Sequence, residues 1–151
     1  MRQRFVIAFI FLCATSLTAC AQTFEVTGVP GPRTFRRDEL RAMPNRVTRT
    51  IDGKTYAGVL IADLLRTCGI DLDKLKGKEL ARSFTIAGSD GYTTTFAIAE
   101  AIGKFHDVEA MLADTVDGKD LSSDEGPLRV FTLDKAAKAR WVSKAIKITV
   151  Q

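Results

Sequence analysis

Three Asp-Gly dipeptides, Asp52-Gly53, Asp90-Gly91 and Asp117-Gly118, constrain this chain more than any other feature of its sequence. Asp-Gly suits a tight reversal between antiparallel strands, because its two residues tolerate the left-handed backbone that such turns require. The first is flanked by "RVTRTI" and "KTYAGV", the second lies inside "ELARSFTIAGSDGYTTTFAIAEA", and the third inside "EAMLADTVDGKDL". Alternating apolar and polar residues on the arms predict three hairpin reversals.

The remaining segments fit around these reversals. "TFEVTGVPGP" reads as a first strand stopped by Gly and Pro, and "GPLRVFTL" and "ARWVSKAIKITV" as the last strands. "VLIADLLRTCGI" places Leu60, Ile61, Leu64, Leu65 and Cys68 at helical spacing, with Gly69 as a C-terminal stop. "RRDELRAMP" predicts a short helix ended by Pro44, and residues 97–102 a short helical stretch. Strands outnumber helices and the two do not alternate regularly. The expected class is therefore α+β, with a mostly antiparallel or mixed sheet and a few short helices, and a doubly wound parallel sheet is excluded.

The first 21 residues read as an export signal: a basic start, an apolar run over residues 5–12, and small residues before Gln22. Domain reasoning therefore covers residues 22–151. Ala19-Cys20-Ala21 fits ordinary signal cleavage, while Leu17-Thr18-Ala19-Cys20 resembles a bacterial lipobox, in which Cys20 would carry a lipid anchor. The expected location is exported, periplasmic or lipid-anchored to the envelope. No later segment approaches the roughly 20 apolar residues of a spanning helix.

Without the leader, 20 Lys and Arg face 18 Asp and Glu, a net charge of +2. So small a charge argues against nucleic acid as partner and confines any anion site to a local cluster. Cys68 is the only cysteine beyond the leader region, so no intramolecular disulfide framework forms; it is expected as a small buried hydrophobe. His106, beside Asp107, is the only histidine. One His and one domain Cys cannot assemble the usual ligand set of a zinc site. Ser122 to Glu125 are read as a polar capping or turn segment before Gly126-Pro127.

In order and spacing, "DGKTYAGVLIADLLRTCGI", "SDGYTTTFAIAE" and "LADTVDGKDLSSDEGPLRVFTLDKAAKARWVSKAIKITV" resemble the molybdopterin-binding domain of the sulfite oxidase family, over about residues 24–150. The resemblance implies that fold, and molybdopterin with its molybdenum as the family's cofactor. It also implies that the loop before the last strand faces the pterin and its phosphate. By position the cofactor-facing residues are Lys138, Ala139, Arg140 and Trp141, with Arg129 from the preceding strand and Asp90 and Tyr92 from the second hairpin. The alternative stays open that Lys135, Lys138 and Arg140 solvate an exposed turn while Trp141 covers the core edge. Asp90 and Tyr92 would then serve only turn and cross-strand packing.

Two departures stand against metal chemistry. The family's thiolate ligand precedes the Gly-Val start of the first long helix, and here "RVTRTIDGKTYA" offers Thr48 and Thr50 but no sulfur. A hydroxyl does not replace a soft, readily ionised thiol. "MRQRF" also lacks the paired arginines of the route by which such enzymes normally cross the membrane folded. The expected function is an exported domain of this type without the metal-ligating cysteine, holding a small anionic ligand or acting as an accessory module. The alternatives are a molybdenum-cofactor-dependent oxidoreductase, and an interaction module docking on an envelope redox or protein partner.

Overall fold

The computed structural model describes residues 22–102, 109–132 and 138–151. Residues 1–21, with Cys20, as well as His106 and Lys135, lie outside the described residues. Ten strands are described: β1 (Thr23–Thr27), β2 (Arg33–Arg36), β3 (Arg46–Ile51), β4 (Lys54–Leu60), β5 (Ser83–Gly88), β6 (Thr93–Ala97), β7 (Ala110–Val116), β8 (Lys119–Asp120), β9 (Arg129–Thr132) and β10 (Ala145–Val150). Two α-helices, α1 (Arg37–Ala42) and α2 (Ile61–Thr67), and 3₁₀ turns at Gly77–Ala81, Ile98–Ile102 and Lys138–Arg140 complete the α+β architecture.

The strands form two five-stranded sheets. One runs β2-β1-β10-β5-β6; in the other the order is β3-β4-β7-β8, with β9 also paired to β7. All pairings are antiparallel except β1 with β10, which places Val26 beside Ile148. The expected mixed and mostly antiparallel character is thus present.

Strand alternation sets the core. Phe24 and Val26 of β1, Phe84 and Ile86 of β5, Phe96 of β6 and Ile148 of β10 turn inward to meet Ile61, Leu64 and Leu65 of α2. Strand β7 is buried on both faces: Leu112 joins this larger cluster, while Met111 and Ala113 join Tyr56, Leu121 and Phe131 in a second one against which Trp141 packs. Cys68 is 1% exposed at the end of α2, the buried hydrophobe that its helical position predicts.

Close approach explains Gly58. It sits where the β4–β7 register shifts, and a Cβ there would lie 2.0 Å from the Leu112 carbonyl oxygen. Asp52-Gly53 and Asp117-Gly118 both take left-handed backbone at both residues, as a two-residue hairpin turn requires. The second hairpin differs, because β5 and β6 are joined by four residues and only Gly91 of the Asp90-Gly91 pair has positive φ. There the Asp90 carboxylate accepts from the Tyr92 backbone N–H at 3.0 Å.

Candidate functional site

The turn at Lys138–Arg140 follows β9 and precedes β10, and its far end is locked to β9. Val130 and Val142 exchange backbone hydrogen bonds of 2.8 and 3.0 Å, and the Trp141 indole N–H donates to the Thr132 carbonyl at 3.1 Å. The indole meets the Phe131 ring edge-on at 5.0 Å, and Phe131 in turn packs against Tyr56 at 4.4 Å. Trp141 is therefore a wedge in the second core cluster with a fixed orientation.

Three other elements reach this turn. From the tip of the β3–β4 hairpin, Asp52 accepts from Lys138 Nζ at 2.6 Å, and that ammonium also lies 5.4 Å from the Trp141 ring centroid. From the β5–β6 hairpin, the Tyr92 hydroxyl donates to the Ala139 carbonyl. From the 3₁₀ turn after β6, Glu100 accepts from Arg140 Nη2 with both carboxylate oxygens, at 3.0 and 3.1 Å. The Arg140 guanidinium covers the Phe96 ring at 4.2 Å. Lys138, Ala139, Arg140, Trp141 and Tyr92 are thus brought together.

Arg129 and Asp90 are used differently. Arg129 donates to Glu125 Oε1 at 2.6 Å, and its guanidinium lies 4.7 Å from the Phe131 ring and 5.5 Å from the Trp141 ring. It supports the aromatic wedge, while Asp90 bonds its own hairpin backbone.

The carboxylates around the turn are the part that sequence reasoning missed. Asp52 reads as a turn former and Glu100 carries no local signal, since each finds its cation 86 and 40 residues away. Glu125 exceeds its expected capping role. It accepts from Ser122 at 3.0 Å, as a cap would, but also from the Tyr56 hydroxyl at 2.9 Å and from Arg129. Burial opposes its ionisation most strongly, yet the hydrogen bonds from Tyr56, Ser122 and Arg129 together hold its carboxyl below the ordinary range. Burial, aided by the Glu125 carboxylate, pushes the Tyr56 phenol up to about 12.

Among the described residues the donor set does not suit a thiolate-held metal. Thr48 and Thr50 are exposed hydroxyls on edge strand β3, opposite Ala57 and Thr55. Cys68 lies within the larger core cluster, where burial pushes its thiol up, opposed by the Arg33 charge. Among the described residues no group of three or more His, Cys, Asp or Glu could hold a metal ion. Nor is any helix among them long and apolar enough to cross a membrane.

Two sheets enclosing α2, with a cationic turn before the last strand, define a domain of the sulfite oxidase-type molybdopterin-binding fold. The sequence model of the oxidoreductase molybdopterin binding domain matches residues 49–151, and the chain belongs to that family. Among solved structures it is similar to the sulfane dehydrogenase SoxCD from Paracoccus pantotrophus, with a TM-score of 0.65 and 18% identity. That likeness, which shows the fold, covers 85% of this chain but only 37% of the other. No curated protein sequence matches.

Proposed function

We propose that this chain is an exported ligand-binding member of the family that works without a thiolate-held molybdenum, and that the Lys138–Trp141 turn holds a small anionic ligand. The observation that carries this reading is that Lys138, Arg140 and Trp141 stand together on one turn, which Tyr92, Asp52 and Glu100 reach from three separate elements. A point charge, a planar guanidinium and two aromatic side chains are what an anion with an apolar body requires. Lys138, whose side chain is 64% exposed, is the accessible cation; Arg140, at 25%, lies deeper.

Asp52 and Glu100 pair with these cations, so an entering anion competes with the protein's own carboxylates. Calorimetric titration with inorganic phosphate tests the site. The double variant Lys138→Ala/Arg140→Ala should lose at least about tenfold in affinity, the worth of one or two charge-assisted hydrogen bonds. Undiminished phosphate binding by that variant would make this the wrong site.

Family membership favours a second reading, a molybdenum-cofactor-dependent oxidoreductase held by the same turn. Metal content separates the two. The proposed location, periplasmic or anchored through Cys20, rests on the leader sequence. Mass spectrometry of the mature amino terminus tests it: a chain beginning at lipid-modified Cys20 supports the anchor, and one beginning at Gln22 supports free export.

A further inference from the structure

A cavity of about 150 Å³ opens at the seam of the two sheets. Its deep walls are Leu60 and Ile61, at the junction of β4 and α2, and the Phe84 and Phe96 rings, which stack at 5.1 Å with 14° between their planes. Ile61, Phe84 and Phe96 are each no more than 2% exposed, so these walls present apolar atoms withdrawn from water. The space exists because Ala62, Ala101 and Ala110 line it where larger residues would fill it.

Three charged residues also line the cavity, and each is neutralised by a partner that is not part of its lining. Arg66 donates to Asp63 at 3.1 Å, Glu109 accepts from Arg49 at 2.6 Å, and Glu100 is held by Arg140. A charged ligand would find no uncommitted counter-charge among these residues and would lose its hydration. A cavity of about this volume has room for a single benzene-sized molecule.

We infer that this cavity is a second binding site, separate in chemistry from the cationic turn, for a small neutral apolar molecule of about benzene's size. Leu60, Ile61, Ala62, Ala101 and Ala110 supply its apolar lining, and the paired charges that also line it offer no free counter-charge to an ionised analogue.

Amide and methyl NMR titration of the protein as purified from its native cells with toluene, and in parallel with benzoate, tests the site. Saturable toluene shifts centred on Leu60, Ile61 and Phe96 are expected, with benzoate at least about tenfold weaker. Ala62→Leu, which adds side-chain volume at a helix position, should abolish the toluene response while keeping a cooperative melt; Ala101→Leu serves if that variant does not fold. Toluene shifts that map elsewhere, benzoate binding equal to toluene, or binding that survives in a folded, filled variant would each overturn the inference. So would a wild-type protein that shows no saturable shift.

Discussion

Arg140 Nη2 stands 3.0 Å from one carboxylate oxygen of Glu100 and 3.1 Å from the other, so the deeper cation of the turn is already engaged by the protein's own acid. Lys138 is engaged in the same way by Asp52 at 2.6 Å. These two acids set the resting charge of the turn, and any external anion competes with them.

Removing a competitor should therefore improve anion binding. Asp52→Asn and Glu100→Gln keep size and hydrogen-bonding oxygen while losing charge. Each is expected to raise phosphate affinity by up to about fivefold, as suits pairs with partial solvent access. Calorimetric titration of the two variants checks this, and a fall in affinity would show that the acids help to build the site instead of occupying it.

Tyr56 gives the stability an alkaline limit. In the folded chain the phenol ionises at about 12, against an ordinary value of 10, so between those values the folded state keeps a proton that the unfolded state has lost. Stability from this group is complete below about pH 10 and falls as pH rises toward 12. Urea unfolding across that range should show a decline of about 2 kcal/mol that is missing in Tyr56→Phe. Parallel declines in both proteins would remove Tyr56 as the cause.

Cys68 should behave as an inert core residue. Burial raises its thiol above the ordinary range and leaves it 1% exposed, so alkylation at neutral pH should spare it until the chain unfolds. Peptide mapping after iodoacetamide treatment, with and without denaturant, reads this directly. Rapid labelling of Cys68 in the folded protein would contradict its place in the core.

Gly58→Ala should be strongly destabilising for its size. The added carbon would lie 2.0 Å from the Leu112 carbonyl oxygen and 2.6 Å from Ala113 Cα, both backbone atoms of the central strand β7. A cost of about 1–3 kcal/mol is expected, as for overpacking of a filled interior, and urea denaturation measures it.

What could be read in the sequence was local. Two Asp-Gly pairs specify their own left-handed turns, and Ile61, Leu64 and Leu65 mark the buried stripe of α2, because those signals arise from neighbouring residues. Strand β2 was not foreseen, since Arg33–Arg36 shows a single inward residue, Phe35. The parallel pairing of Glu25 with Lys147 joins chain ends that no local pattern connects. The site divides in the same way. Its cations and Trp141 stand together in sequence, whereas Asp52, Tyr92 and Glu100 become their neighbours only through sheet topology. The Arg46 pair with buried Asp114, at 2.7 and 2.9 Å, was invisible for the same reason.

Molybdenum content bears most directly on the central claim, that this member of the family has no sulfur in the segment before Gly58 to hold a metal centre. Inductively coupled plasma mass spectrometry of protein purified from its native cells should find molybdenum far below one atom per chain, in material that melts cooperatively and binds phosphate through Lys138 and Arg140. Stoichiometric molybdenum in that material, seated beside Thr48 or Thr50, would contradict the account.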